Sequence, residues 1–245
     1  ICDFYLGTLS EMLEVSNRPV YTVESVDDKS VTMVTVIDYN GLPIEIMRTF
    51  TLSSNYQLFE TTTLRNLGES MTLLDNDGAA FSIGSMFSFS DRESFNPRNM
   101  IQFRYFDGDK LHKVLKVGFL KGLTGNKETE ETVESPEWLV HEDNYFIGVM
   151  EPTETVFNGK FIQTFEEKSY REMAIALVKE PMTLNAGETK SFEISYYIGP
   201  KKEKTVRAVN DRYKKLFQFA PVFNWLMWPI TKGIKGLMFL LGRII

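Results

Sequence analysis

The side chains best suited to proton transfer are two histidines and the acidic residues beside one of them. His112 and His141 are the histidines, and Glu142 and Asp143 directly follow the second. Two imidazoles with a carboxylate can move protons at a sugar ring, but the spacing does not favour this over surface histidines. The HExxH, CxxC, phosphate-loop and GxSxG patterns are absent from the sequence. We therefore predict no enzyme active site, metal or cofactor.

An aromatic-rich stretch offers a different chemistry, the binding of an apolar ligand or peptide. Its members are Phe81, Phe87, Phe89, Phe95, Phe103, Tyr105 and Phe106. Alternation along candidate strands accounts for most of them as core residues. We interpret the stretch as core that also forms one wall of a cleft, with a ligand groove as the alternative. The single cysteine, Cys2, cannot form an intramolecular disulfide.

The final segment, residues 230–245, is strongly two-sided when it is projected as a helix at about 100° per residue. One arc carries Ile230, Ile234, Leu237, Met238, Leu240, Leu241, Ile244 and Ile245. The opposite arc carries Thr231, Lys232, Lys235, Gly242 and Arg243, with Phe239 as its one apolar member. The sequence therefore predicts an amphipathic helix at this end of the chain.

This helix is predicted to lie on a membrane surface rather than to cross the membrane. A spanning helix needs roughly 20 mostly apolar residues, whereas Pro229 and three cations interrupt this segment. Tryptophans at headgroup depth and cations beside anionic lipid are typical of interfacial helices. The predicted interface residues are Trp225, Trp228, Ile230, Lys232, Ile234, Lys235, Leu237, Met238, Leu241 and Arg243. The alternative is an amphipathic helix packed on its own domain.

Charge is distributed unevenly along the chain, and its sign changes at about residue 200. The net charge of the 245 residues is −6, yet residues 201–245 hold ten Lys or Arg and two acidic residues, a net +8. The other 17 bases and 31 acids give residues 1–200 a net charge of −14. Such a body repels polyanions, so we expect no nucleic acid partner. The sequence lacks an initiator Met and stops within an apolar run, so we expect a segment of a longer protein.

Between Val20 and Tyr197 the sequence alternates apolar and polar residues in short runs, as half-buried strands do. Turn signals at Asn40-Gly41, at Asp107-Gly108-Asp109 and from Asn185 to Glu188 separate some of them. The runs are 20–26, 30–37, 44–52, 58–67, 70–74, 79–89, 101–106, 111–119, 145–151, 153–157, 160–166, 170–179 and 188–197, with another beginning at 138. We predict a mainly β body of a dozen or more antiparallel strands, in two packed sheets.

Three segments depart from the strand pattern. Residues 1–15 are expected to form a short helix or an irregular lead, and residues 121–137 a flexible acidic loop. Apolar residues at helical spacing predict a helix over residues 200–220, with Pro200 as its first residue. We therefore divide the chain into a β-sandwich domain, residues 1–199, and a C-terminal helical segment, residues 200–245.

Two short motifs resemble a known family. The first runs from Trp138 through Asp143 to Tyr145 and Phe146, and it is similar to the W-x-x-x-x-D-x-Y-F pattern of the large periplasmic domain of the YidC membrane protein insertases. The second is Tyr197-Ile198-Gly199-Pro200-Lys201, which resembles the Y-x-G-P-K signature of that domain's closing strand. The predicted amphipathic helix follows both motifs, and this order resembles that of the family.

The resemblance implies a mutarotase-like β-supersandwich on the outer, periplasmic face of a bacterial inner membrane. It also implies a docking and positioning module that assists the insertion of nascent inner-membrane proteins, with the SecYEG and SecDF complexes as partners. The family's working groove lies among transmembrane helices, so no groove residue carries over to these 245 residues. A carbohydrate-binding or mutarotase-like protein and a cell-surface adhesion domain are the alternatives.

Overall fold

Strands make up most of the chain. The structure, a computed structural model, describes residues 3–5, 19–73, 79–90, 102–114, 128–143, 145–153, 157–166 and 170–217. Its strands are β1 (Asp3–Tyr5), β2 (Thr22–Val26), β3 (Ser30–Tyr39), β4 (Leu42–Leu52), β5 (Gln57–Asn66), β6 (Met71–Leu73), β7 (Phe81–Ser90), β8 (Gln102–Phe106), β9 (Leu111–Lys113), β10 (Glu128–Val133), β11 (Trp138–Glu142), β12 (Phe146–Pro152), β13 (Asn158–Glu166), β14 (Tyr170–Lys179), β15 (Met182–Leu184) and β16 (Thr189–Pro200).

The strands of the described ranges form two large antiparallel sheets and one small one. The larger sheet has nine strands in the order β2-β3-β4-β5-β16-β12-β11-β8-β9. The second has five in the order β1-β7-β14-β13-β10, and β15 pairs with β6 in the small sheet. The predicted fold class, a mainly β antiparallel supersandwich, is confirmed.

The core lies between the two large sheets. Phe81 on β7 meets Phe192 on β16 with ring centroids 4.9 Å apart, and Phe103 on β8 meets Phe161 on β13 at 5.8 Å. Strand β4 shows the alternation that the sequence predicts, because Ile44 and Ile46 are buried between partly exposed neighbours. The sandwich therefore follows from the period-2 pattern of its strands.

Tight turns fix the register of the hairpins. Asn40 and Gly41 both have positive φ, 54° and 84°, between β3 and β4. This is the backbone of a two-residue hairpin turn whose twist matches that of the strands. Gly108 and Gly187 also have positive φ, in the turns predicted at 107–109 and 185–188. All three predicted turns are confirmed.

The expected acidic loop at residues 121–137 is wrong for its second half. Residues 128–133 form strand β10, which pairs with β13 at the end of its sheet. The Lys160 ammonium contacts the Glu130 carboxylate at 2.8 Å, and Val133 is buried. Charge pairing to the neighbouring strand thus replaces the apolar alternation that would have revealed this strand. Residues 121–127 lie outside the described residues.

Short strands also escaped prediction. Asp3–Tyr5 is a strand on β7, with Phe4 stacked on Phe81 at 5.3 Å, rather than part of a helical or irregular lead. Met182–Leu184 is strand β15, which pairs with β6. The run expected at 153–157 begins outside any strand, because β12 ends at Pro152. Strands β1 and β15 were missed because three residues are too few to show an alternating pattern.

The chain divides into two compact units, residues 1–201 and residues 202–245. In the second unit, helix α1 (Glu203–Val209) precedes a 3₁₀ helix (Asp211–Phe217). Val206, Tyr213 and Leu216 are buried, as their helical spacing predicts. The helix is not continuous, because Asn210 is extended and its side-chain oxygen accepts the Arg212 N–H at 3.0 Å.

Pro200 is not the first helical residue, so that prediction is wrong. It is the last residue of β16, where it lies opposite Phe146, and α1 begins only at Glu203. Proline is tolerated there because a strand end needs no further ladder N–H. Within the described residues, no helix has the length and hydropathy needed to cross a bilayer. The predicted interfacial helix at 230–245 lies outside the described residues.

Candidate functional site

The two motifs come together at one end of the nine-stranded sheet. Strand β12 pairs with β16 so that Phe146 lies opposite Pro200 and Ile147 opposite Gly199. Just beyond this pairing, the Lys201 N–H donates to the Tyr145 carbonyl at 2.7 Å. The β11–β12 turn is therefore joined to the point where the chain leaves the sandwich. We call this cluster of both motifs the motif site.

Asp143 shapes the β11–β12 turn. Its Oδ1 accepts the backbone N–H groups of Tyr145 and Phe146, each at 2.6 Å. The backbone N–H of Asp143 donates to the Phe146 carbonyl at 2.9 Å. A carboxylate that caps its own turn in this way fixes the backbone locally. The two aromatic side chains that follow are 71% and 62% exposed.

Three charged groups meet beneath this turn. The Glu142 Oε2 accepts from Arg104 Nη2 at 2.5 Å and from Lys201 Nζ at 2.9 Å. Lys201 Nζ also donates to the Asp143 carbonyl at 3.2 Å. Glu142 and Arg104 are buried, and burial lowers the pKa of Arg104, which the Glu142 charge only partly offsets. The site therefore contains a charge network that depends on Glu142.

Tyr197 and Gly199 form the other side of the site with Tyr56, a residue of the β4–β5 turn. The buried Tyr197 hydroxyl donates to the Pro200 carbonyl at 2.8 Å, and burial followed by the nearby Tyr56 raises the pKa of Tyr197. The Tyr56 and Tyr197 rings meet edge to face at 6.3 Å. A Cβ on Gly199 would lie 2.7 Å from the Tyr56 ring. Gly199 has no positive φ, so this close contact explains the glycine.

Trp138, the first residue of the motif, is a core residue. It is fully buried and its ring stacks on Phe106 with centroids 4.5 Å apart. Its neighbours Leu139 and Val140 are also buried, so both faces of β11 are covered. Trp138 thus supports the hairpin that presents the exposed aromatic pair.

The histidines do not assemble into a catalytic pair. His112 on β9 and His141 on β11 are separated by β8, a spacing of about 10 Å. His112 Nε2 contacts Asp107 Oδ2 at 2.6 Å within its own hairpin. The His141 ring covers Gly148, and desolvation lowers its pKa to about 4. Among the described residues, no group of three or more His, Cys, Asp or Glu is placed to hold a metal ion.

Sequence reasoning missed two members of the motif site. Arg104 stands as a lone charge between buried Phe103 and Phe106, and such a charge within an apolar strand is a usable signal for a buried ion pair. Tyr56 gave no signal, because only the three-dimensional pairing brings it to Gly199. Several residues of the aromatic stretch, Phe81, Phe103 and Phe106, are core residues as predicted. Phe95 and the predicted interface residues from Trp225 to Arg243 lie outside the described residues.

Comparisons with known proteins agree with the motifs. Residues 11–234 match the family model of the YidC periplasmic domain. The membrane protein insertase YidC of Syntrophobacter fumaroxidans is 24% identical over 203 residues, which cover 79% of this chain and 34% of that protein. The chain thus spans about a third of this relative's length.

Solved structures similar to the chain include two sugar-epimerase-like proteins. A putative aldose 1-epimerase from Escherichia coli K12 is 14% identical, with 74% of this chain and 68% of that chain covered and a TM-score of 0.46. A putative mutarotase from Salmonella typhimurium is 11% identical, with 76% and 66% covered and a TM-score of 0.44.

Proposed function

The chain belongs to the YidC periplasmic domain family, and from this membership we propose that it is the extracytoplasmic domain of an inner-membrane insertase. The match over residues 11–234, which includes both motifs, carries the proposal. In this role the domain assists the insertion and folding of nascent inner-membrane proteins. It does so as a docking and positioning module rather than as an enzyme.

We place the contact with Sec partners, the SecYEG and SecDF complexes, at the β2 edge of the nine-stranded sheet. All five residues of β2 are exposed, and Val23 and Val26 remain 56% and 71% accessible. Edge strands offer unpaired backbone groups and apolar side chains to a partner strand. These features support β2 as a docking edge.

A benzophenone amino acid at Val26 tests this edge in the membrane-bound full-length protein. We expect crosslinks that mass spectrometry identifies as Sec subunits. The same probe at Leu67, which is 43% exposed and follows β5, is the control. Equal Sec crosslinking from both positions, or none from Val26, would contradict the docking edge.

The domain lies against the membrane through residues 230–245 in this proposal. Eight apolar side chains share one arc of that segment, and apolar burial contributes roughly 25 cal/mol per Å². Three cations on the opposite arc each add about 1 kcal/mol near anionic lipid. Burial of the arc thus contributes more to binding than the cations do, and the cations select the lipid.

Vesicle co-sedimentation of the 245-residue chain tests the membrane contact. The parent should bind vesicles that contain phosphatidylglycerol, and Leu237→Glu with Leu241→Glu should remove nearly all binding. The matched control adds the same two charges on the polar arc, as Thr231→Glu with Gly242→Glu, and should lose only the electrostatic part, roughly 30-fold in affinity. A parent that binds no vesicle, or two double variants that behave alike, would contradict the proposal.

The geometry gives no support to a mutarotase-like activity for this chain. Proton transfer at a sugar ring needs its acid and base within hydrogen-bond reach of one substrate. Here one strand separates His112 from His141, while the Glu142 carboxylate is engaged by Arg104 and Lys201. The proposal therefore continues to rest on the family match over residues 11–234.

A further inference from the structure

Tyr145 and Phe146 form an exposed aromatic pair at the start of β12. Their side chains are 71% and 62% exposed, although aromatic rings usually gain by burial. Their backbone is held by two hydrogen bonds to Asp143 and by the Lys201 N–H. These bonds fix the backbone of both aromatic residues before any partner binds. The pair therefore has the properties of a preformed contact.

The position of the turn suggests its partner. Lys201 marks the change from the acidic body, net −14, to the basic C-terminal segment, net +8. Lys202 and Lys204 follow immediately and are exposed. The nearby acidic groups are engaged, since Glu142 binds Arg104 and Lys201, Asp143 caps the turn, and Glu203 contacts Arg207 at 3.5 Å. The aromatic pair is thus tied to the start of the basic segment.

We propose that the β11–β12 turn is a second membrane contact, in which the rings of Tyr145 and Phe146 enter the headgroup region of an anionic bilayer. This inference rests on the proposed function, in which residues 230–245 bind the same bilayer. Aromatic rings prefer this depth because they offer an apolar body, and tyrosine adds a polar tip. Cations at the start of the segment attract the anionic headgroups.

Charge favours one part of the body as the place where an anionic bilayer makes contact, namely the part next to Lys201. An anionic surface repels a body of net charge −14 and attracts the basic segment, so the protein is oriented by its charge asymmetry. The part of the body that can approach closely is the part bound to the first residue of that segment. The Lys201 N–H to Tyr145 carbonyl bond identifies this part as the turn.

An environment-sensitive fluorophore tests the contact in the 245-residue chain carrying Cys2→Ser. Three single-cysteine versions, Phe146→Cys, Leu237→Cys and Phe59→Cys, are labelled with a nitrobenzoxadiazole dye. Phe59 is the matched control, since it is an exposed aromatic residue (40%) elsewhere on the sandwich. Each protein is mixed with phosphatidylglycerol vesicles that contain brominated lipid, or with phosphatidylcholine vesicles.

With the brominated phosphatidylglycerol vesicles, we expect a blue shift and bromine quenching of the dye at positions 146 and 237, and neither at position 59. A response at 237 without one at 146 would overturn the second contact and leave the proposed function intact. A response at 146 alone would support the turn contact and contradict the interfacial tail. Responses at all three positions would mean unspecific adsorption, and silence at all three would overturn both proposals.

Removal of the two rings gives a second measure. Tyr145→Ser with Phe146→Ser should weaken vesicle binding by about tenfold, since two rings leave the interface. Its melting temperature should match the parent's, because both side chains are exposed and serine keeps the capped N–H groups. Val36→Ser with Leu67→Ser, which are also exposed and lie towards the other end of the sheet, is the control and should bind like the parent. Equal binding by the two double variants would overturn the proposal.

Discussion

At the scale of single residues, the described part of the sandwich contains two buried arginine–glutamate pairs with different surroundings. Arg48 Nη2 contacts Glu60 Oε1 at 2.6 Å, and the hydroxyls of Thr62 and Tyr196 donate to the same carboxylate. The ring centroids of three aromatic residues lie within 6 Å of the Arg48 guanidinium carbon. These residues are Phe4, Tyr21 and Phe50. This pair is built into the core, whereas the Arg104 pair extends to Lys201 at the motif site.

Replacement of Glu142 by Gln should destabilise the sandwich markedly. The change leaves the buried Arg104 and the half-buried Lys201 without their shared carboxylate, and breaking a buried pair costs about 3 kcal/mol or more. The control is Glu45→Gln, because its contact with Arg65 is 3.9 Å long and exposed. That change should cost less than about 1 kcal/mol. Urea denaturation measures both, and equal midpoints would contradict the role of Glu142.

His141 predicts a pH dependence of stability. Its pKa in the folded protein is about 4, below the usual 6.5, so the unfolded chain binds more protons between these values. The free energy of unfolding should therefore fall as pH falls from 6.5 to 4, by up to about 3 kcal/mol. The His141→Asn protein should lack this part of the dependence. Parallel stability curves of parent and variant across the window would refute the assignment.

At the scale of elements, the sequence predicted the long strands and the turns because their signals are local. Alternation revealed β3, β4 and β5, and Asn40-Gly41 revealed the turn between two of them. Strand β10 was missed because its stability comes from pairing with β13 and from an ion pair to Lys160. Contacts between residues far apart in sequence leave no periodic trace.

Contacts between distant residues also explain why the motif site was predicted only in part. The motif residues were identified from their pattern, yet their convergence depends on the register of β12 on β16. Tyr56 was missed for the same reason. It has a φ of 65°, strained for a non-glycine residue, and its carbonyl accepts the Ile198 N–H at 3.0 Å. The β4–β5 turn is therefore held to β16 through Tyr56 and Gly199.

Gly199→Ala should weaken this connection. The new methyl group would lie 2.7 Å from the Tyr56 ring and 2.8 Å from its Cβ, and such overpacking typically costs about 1–3 kcal/mol. Tyr56→Gly removes both atoms and also suits the positive φ. In a double-mutant cycle followed by thermal melts, Gly199→Ala should therefore cost clearly less in the Tyr56→Gly background, where the Tyr197 hydroxyl, 3.0 Å from the new methyl group, is the remaining close contact. An unchanged cost in that background would show that the close contact is not the cause.

At the scale of the whole molecule, the main feature is the separation of charge. The body carries −14 and the C-terminal segment +8, so an anionic membrane attracts one part and repels the other. In the proposed bound state, cations in the headgroup region would act on the lipid charges at shorter range than the charges of the body do. At physiological ionic strength, interactions beyond about 8 Å are largely screened. Attraction of the basic segment should therefore prevail.

Salt should accordingly weaken membrane binding without abolishing it. The cations Lys232, Lys235 and Arg243 contribute about 1 kcal/mol each, so full screening should reduce affinity by roughly 100-fold. Apolar burial by the opposite arc persists in salt. Vesicle titrations at low salt and at about 1 M measure this change. Replacing the three cations by Gln should reduce the salt dependence while residual binding remains. Binding that is indifferent to salt, or that vanishes in it, would contradict this division between charge and burial.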